Sequence, residues 1–362
     1  MNSPDNLIFK DLKVIELASV LAGPAVGMFF AELGANVTKI ENILTGGDTT
    51  RHWKLPEEPA NHPASAYFYS VNWHKQHRFL DLNQPDDYEQ LLGLVKDADL
   101  LIANFKAGAA QKLGLDSRRL RAINPRLIYA SISAYGEEDP RPGFDVAIQA
   151  ETGWIHMNGE PERPPVKLPV ALMDLLAAHQ LKAGILAALY NREKSGEGCE
   201  VTVSLFDAGV ASLANQAANW LNAGHLPQRM GSLHPNIAPY GEIFETLDGK
   251  LLILATGTAR HFESLCELLE MPAMAKDARF SSNQQRLLHR PALNDALGAA
   301  FKRYTAADLL QKGLEREVPV APVRNLQEVF ELPEARSMML EEIHPDGSFS
   351  RRVKTVVFKI KP

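Results

Sequence analysis

The chain has 362 residues, 45% of them hydrophobic and 23% charged, with a formal net charge of −6. That is the make-up of a globular protein of about two domains, and its scattered Lys and Arg exclude the basic stripe that nucleic-acid binding requires. No uninterrupted apolar run reaches the ~20 residues of a membrane span, and the opening MNSPDNLIFKDLK lacks the layout of a secretory signal.

The first forty residues read as strand, helix, strand. Residues 12–17 form a short apolar strand, Ala22-Gly23-Pro24 turns the chain, and Pro24 suits the first turn of a helix reaching about Leu33. Gly34 ends that helix, and 36–41 (NVTKIE) is a second strand, so a right-handed βαβ unit is predicted. The dinucleotide fingerprint G-x-G-x-x-G is absent, because Gly23 and Gly27 do not have its spacing, and this argues against a nicotinamide dehydrogenase. Strands follow at 79–82, 99–104 (DLLIAN) and 126–133 (RLIYASIS), with helices at 85–96 and 117–123. Such alternation of short apolar strands with helices specifies an α/β fold, a Rossmann-like parallel sheet covered on both faces. Ligands of such sheets sit beyond the carboxyl ends of the strands. Glu41-Asn42, Asn83, Asn104-Phe105-Lys106 and residues 133–136 all fall there.

Further on, a turn at 194–198 leads into a strand at 199–205 and a helix at 207–223. Residues 224–239, rich in Gly, Pro, His and Asn, read as a linker. Segments 240–246 and 250–255 flank Asp248-Gly249, the signal of a hairpin with a type I′ turn. Helices at 259–269 and 283–304, and one opened by Thr305 and Asp308 that runs to about Arg316, complete a smaller α+β domain. A strand at 352–360 closes the chain. The expected boundaries are 1–205 for the large domain, 206–239 for the linker and 240–317 for the small domain, with 318–362 returning to the large one. The only cysteines, Cys199 and Cys266, form no C-x-x-C pair and fit a reducing cytoplasm; Cys266 lies on an apolar helix face as a packing residue.

The chemistry is harder to place. The 11 His include no set at conventional metal-ligand spacing, and neither a G-x-S-x-G elbow nor a P-loop is present. One carboxylate stands out. Between Lys167 and Lys182 the only charged side chain is Asp174, followed by an Ala/Leu helix pattern to about Tyr190. Asp174 is either the N-cap of that helix or a nucleophile supported by the helix's positive end. As a cap it is expected to keep a low pKa.

Segments spread over most of the chain carry a family likeness. They are residues 12–42 (LKVIELASVLAGPAVGMFFAELGANVTKIEN), Gly47-Asp48 with Arg51, Asn72 with Lys75, Leu80-Asp81-Leu82 and ADLLIANFKAG. After these come NPRLIYASISAYG, PGFDVAIQAETG, MDLLAAHQLKAGILAAL, HPNIAPYGEIFETLDGK and PEARSMM. In this order they resemble the family III CoA-transferases, the group that contains formyl-CoA transferase and carnitine CoA-transferase.

The resemblance implies an acyl-CoA:acid CoA-transferase with Asp174 as nucleophile, passing through an aspartyl–acyl anhydride and an aspartyl–CoA thioester. It implies CoA or acyl-CoA as substrate, with no tightly bound cofactor and no metal. The cofactor contacts it assigns are Leu21, Ala22, Asn42 beside the adenine, Leu80, Asp81, Leu82, Asn104, Phe105, Lys106, Lys112 toward the phosphates, Gly143, Phe144 and Asp145. It implies a homodimer of interlocked ring-shaped subunits, and no nucleic-acid or membrane partner. Formyl-CoA transferase carries glutamine at the position of Leu21 and arginine at that of Asn42, so oxalate and formate are not the expected substrates; a larger or more apolar acid is. The α-methylacyl-CoA racemase branch of the same fold has a histidine at the place of Phe144 and a glutamate at that of Ala259, so acid/base groups on both sides of an α-carbon are missing. A non-catalytic CoA-binding protein is the remaining alternative, against which stands the intact aspartate.

Overall fold

The computed structural model describes residues 7–361. Two compact units divide the chain, the larger taking residues up to 154, 167–226 and from 337 onward, the smaller 155–166 and 227–336. The larger is built on six strands: β1 (Lys13–Leu17), β2 (Asn36–Asn42), β3 (Gln76–Leu80), β4 (Leu100–Ala103), β5 (Ile128–Ser133) and β6 (Glu200–Ser204). All neighbours pair in parallel, in the order β3-β2-β1-β4-β5-β6. This is the order of doubly wound dinucleotide-binding sheets, although the glycine fingerprint is missing. The order reverses between β1 and β4, so the crevice beyond their carboxyl ends is where a ligand belongs. Strand β4 is buried along its whole length, as continuous apolar strands of parallel sheets are. Strand β3 begins and ends earlier than its apolar pattern indicates, because its register is set by pairing Thr38–Asn42 with Gln76–Leu80.

Two helices fill the core beside this sheet. The first, Ala22–Glu32, is buried at every position. The second, Leu172–Ser195, is longer than expected at 24 residues, and by length and composition it could cross a membrane. Here it is a core helix: Met173, Ala177, Ala178, Leu181 and Ile185 are fully buried with the first helix and the sheet. The helix expected at 207–223 breaks at Ser212-Leu213 into Leu205–Ala211 and Ala214–Ala223.

The last strand departs most from expectation. Instead of 352–360, an antiparallel hairpin forms from β10 (Met339–Ile343) and β11 (Phe349–Val353). The backbone beyond it is captured by the Glu32 carboxylate, which accepts from Thr355 N and Val356 N at 2.8 Å.

The smaller unit has its own core and a three-stranded antiparallel sheet of β7 (Tyr240–Glu245), β8 (Leu251–Ala255) and β9 (Val320–Pro322). The β7–β8 hairpin forms as expected, but only Gly249 takes a positive φ, 73°, so the turn is not type I′, which needs two such residues. The helix expected at 283–304 splits at His289, since Pro291 starts a new first turn in Arg290–Phe301. Thr305 and Asp308 do form a capping box. Cys266 is buried in this core, where burial pushes its thiol up to about 11.

Candidate active site

Asp174 is the third residue of the helix Leu172–Ser195 and not its cap; Ala171 holds the cap position without a side-chain hydrogen bond. The first backbone N–H groups of a helix have no intrahelical acceptor, and that of Met173 donates to Asp145 Oδ1 at 2.7 Å. Asp145 Oδ2 accepts from Gln149 Nε2 at 2.6 Å. The capping work therefore falls to Asp145, at the head of the helix Asp145–Glu151. Asp174 is left with 8% exposure and no hydrogen-bond donor among the described residues.

This isolation sets its charge state. Burial first, and the charge of Asp145 second, push the Asp174 carboxyl from 3.8 up to about 7. The expectation of a low pKa fails on magnitude. A helix N-terminus favours an anion by about 0.3–1 kcal/mol, at most about 2, whereas the rise corresponds to roughly 4 kcal/mol. Tyr67 stands near the same acids: burial, then Asp174, Asp145 and Asp48, push its hydroxyl up to about 12, so it stays neutral.

Asp174 lines a cavity of about 230 Å³ together with Leu21, Ala22, Asn104, Phe105, Lys106, Gly143 and Phe144. Only glycine fits at 143, where a Cβ would stand 2.5 Å from that of Ala134. A second cavity, of about 460 Å³, lies beyond the ends of β1, β2 and β3 and is lined by Asn42, Leu80, Asp81, Leu82 and Phe105. The two cavities share Ser19 and Phe105. The polar groups of the second are partly committed: Asn42 Oδ1 accepts from Leu44 N at 2.9 Å and Asp81 Oδ1 from Asn83 N at 3.0 Å. Of the expected contacts, Lys112 and Asp145 line neither cavity. Lys112 is exposed on the helix Ala109–Leu113, and Asp145 acts behind Asp174.

The turn between β1 and the first helix is held from several sides. Asn104 clamps Ser19, accepting from its N–H at 3.0 Å and donating to its carbonyl at 2.8 Å. Val20 has a φ of 72°, a left-handed conformation that costs a branched residue roughly 1–3 kcal/mol. Its N–H donates to both oxygens of Asp48, at 3.3 and 3.2 Å. Gly23 lets the turn press on the helix, since a Cβ there would lie 2.3 Å from that of Ala18. Past this turn, the backbone N–H groups of Leu21 and Ala22 meet no acceptor among the described residues.

Beneath the turn lies a buried cluster of charges. Glu16 and Lys39 face each other in the β1–β2 register, and both are 0% exposed. Lys39 Nζ is 2.8 Å from Glu16 Oε1 and 3.1 Å from Asp48 Oδ2. Lys75 Nζ reaches Glu16 Oε2 at 2.8 Å, and the Pro24 carbonyl and Asn72 Oδ1 at 2.9 and 3.0 Å. Two acids and two lysines offset each other. Burial opposes the charges of Glu16 and Lys39, yet the lysines hold Glu16 below its ordinary value, and the acids hold Lys39 above its own. For Lys75 burial wins, pushing it down to about 8. Glu41, paired with Arg51 at 2.6 Å, accepts the Asp48 backbone N–H at 2.8 Å and so fixes that residue in turn. Asp48, Asn72 and Lys75 stood out in the sequence only as carriers of the family likeness, and Tyr67 and the Glu16–Lys39 heart of the cluster were missed. The signal of that pair was one opposite charge in each of two adjacent apolar strands.

The sheet has the doubly wound order of ligand-binding α/β folds, and an unpaired, buried carboxylate lines a cavity at its switch point. The chain belongs to CoA-transferase family III, whose family model matches residues 9–361. It is 36% identical over 354 residues to a succinate–glutarate CoA-transferase of Agrobacterium fabrum, covering 96% of this chain and 88% of that one. It is 35% identical to an acetyl-CoA:oxalate CoA-transferase of Acetobacter aceti, covering 92% and 85%. A crystal structure of a CaiB/BaiF family protein from Brucella suis superposes with a TM-score of 0.83 at 37% identity, covering 99% of this chain and 93% of that one. The protein is thus an enzyme, a CoA-transferase of family III acting on acyl-CoA.

Proposed function

We propose that Asp174 is the nucleophile of a CoA exchange between an acyl-CoA and a dicarboxylic acid of the succinate–glutarate class. The observation that carries this reading is a carboxylate buried on the wall of a cavity and left without a hydrogen-bond donor. A carboxylate so desolvated gains reactivity once ionised.

In the first step an Asp174 oxygen attacks the thioester carbonyl carbon, the C–S bond breaks, and its electron pair leaves as the CoA thiolate. The thiolate attacks the Asp174 carbonyl of the resulting anhydride, giving an aspartyl–CoA thioester and the free donor acid. The acceptor carboxylate then reverses both steps. Each passes through an oxyanion, and Leu21 and Ala22, which line the same cavity with N–H groups that meet no acceptor among the described residues, are the candidate donors. The larger cavity, with Asn42, Leu80, Asp81 and Leu82, would take the nucleotide end of CoA, and Phe105, shared by both cavities, would mark the path of the pantetheine arm. Lys106 lies on that path and Lys112 outside it. The acid class rests on the Agrobacterium relative, and an acid larger than oxalate suits an apolar Leu21 in the wall. A cytoplasmic homodimer with interlocked subunits belongs to the same proposal, and sedimentation at the mass of a single chain would count against it.

The test is a transfer assay by mass spectrometry with succinyl-CoA as donor and glutarate as acceptor. The reading expects glutaryl-CoA from the native protein and a loss of at least about 10³-fold in Asp174→Asn. Activity retained in Asp174→Asn, or transfer to oxalate in preference to glutarate, would sink the nucleophile or the acid class respectively. Solvent deuterium entering the α-carbon without CoA exchange would point to the racemase instead.

A further inference from the structure

We propose that Asp48 is a positioning residue for the reaction: it holds Val20 in its left-handed conformation and thereby keeps the Leu21 and Ala22 amides in the cavity wall that Asp174 shares. This rests on the reading of Asp174 as nucleophile.

The geometry is unusual for a structural acid. A β-branched residue avoids φ near 72°, where its branches crowd the backbone, and Val20 occupies it without glycine's freedom. Something must hold it there. The Val20 N–H donates to both Asp48 oxygens, and Asp48 comes from the far side of β2, 28 residues along the chain. Asp48 is itself held at three points: its carboxylate against Lys39, its Oδ1 by the Thr50 N–H and hydroxyl, and its backbone N–H by Glu41. Neither oxygen is free to turn away. Asn104 fixes Ser19 on the other side of the same turn, reaching across from the end of β4. Thus two side chains from the two sides of the switch point grip residues 19 and 20, and the next two residues, whose N–H groups meet no acceptor among the described residues, line the Asp174 cavity. A turn needed only to connect a strand to a helix would place glycine at 20 and require no carboxylate. Valine leaves the conformation dependent on Asp48, and the dependence is what the proposal predicts.

The experiment compares native protein, Asp48→Ala, Asp48→Asn and the double variant Asp48→Ala with Val20→Gly. Two quantities are read with succinyl-CoA: kcat and KM for transfer to glutarate, and the rate at which hydroxylamine converts Asp174 to its hydroxamate, measured by peptide mass spectrometry. Asp48→Ala is expected to lower both rates about 10²-fold, as loss of an oxyanion donor does, with a much smaller change in KM. Asp48→Asn keeps one acceptor for the Val20 N–H and is expected to lose only about fivefold. Val20→Gly in the Asp48→Ala background is expected to recover at least about tenfold, since glycine takes a φ of 72° without cost. A double variant no faster than Asp48→Ala overturns the proposal, because Asp48 would then matter only through the charge cluster. If Asp48→Ala does not fold, Asp48→Asn with and without Val20→Gly replaces it, and equal rates in the two overturn the proposal. If the native protein itself yields no Asp174 hydroxamate, the nucleophile reading has failed; a native hydroxamate with an undiminished rate in Asp48→Ala sinks the Asp48 proposal alone.

Discussion

At Asp174, the proposed nucleophile, the charge that the reaction would need is the charge that burial opposes. With its pKa pushed up to about 7 against 3.8 in an unfolded chain, the folded protein favours the protonated form. The stability this lends is complete below 3.8 and is lost as pH rises through about 7. Above that pH the folded protein carries the cost of the anion. Asp174→Asn is therefore expected to be inactive yet more stable at pH 8, by roughly 2–4 kcal/mol in urea unfolding, with the gain vanishing toward pH 4. Equal stability of the two proteins at pH 8 would refute the strain. Activity has the opposite slope: kcat/KM should rise through one ionisation near pH 7 as Asp174 loses its proton. Asp145→Asn removes the second cause of the rise, so its pH profile should move to lower pH, and an unmoved profile would show that burial acts alone. In the sequence, Asp174 could be singled out as the lone charge in an apolar run. That Asp145 would take over the capping could not be seen, because capping partners are normally within a few positions and this one is 28 residues upstream.

Among the elements, the first helix shows how a local rule is overturned by what lies beneath it. Replacing an interior helical glycine by alanine ordinarily stabilises by up to about 1 kcal/mol. At Gly27 the sign should reverse. A Cβ there would stand 1.9 Å from Glu16 Oε2, an oxygen that Lys75 Nζ holds at 2.8 Å. Glu16 cannot yield without leaving a buried lysine short of its partner, which costs about 3–5 kcal/mol. Gly27→Ala is thus expected to destabilise by about 2–4 kcal/mol in urea unfolding, and a stabilised variant would mean that the cluster is looser than its distances. The elements themselves were largely legible: apolar runs of the right length marked five of the six parallel strands closely, and Pro24 marked the helix start. The sixth, β3, shifted, since QHRF carries no apolar pattern and only its register with β2 makes it a strand. The terminal strand 352–360 was misplaced for a similar reason. Residues 356–360 (VVFKI) are strongly apolar, but the Glu32 carboxylate takes the backbone N–H groups of Thr355 and Val356, where that ladder would begin.

At the scale of the molecule, two cores and one site make a prediction about unfolding. The larger unit contains the six-stranded sheet, both cavities and every residue named around Asp174, and the smaller has a separate core around Phe244, Leu265, Leu297 and Phe301. All four tryptophans, Trp53, Trp73, Trp154 and Trp220, belong to the larger. Length and composition suggested two domains, and the α/β alternation marked the strands of the sheet on which the larger unit is built. The alternation could not show that residues 155–166 leave the large unit for the small one, because a crossing of the chain has no periodicity of its own. A ligand that binds only the folded form stabilises what it binds, by about 2.7 kcal/mol at one hundred times its dissociation constant. CoA bound as proposed, in the two cavities of the larger unit, should therefore raise the unfolding temperature reported by tryptophan fluorescence. In calorimetry the same addition should move one transition and leave a second in place, with fluorescence following only the one that moves. A single calorimetric transition that shifts as a whole would mean that the two cores unfold together, and the ligand's stabilisation would then be spread over both.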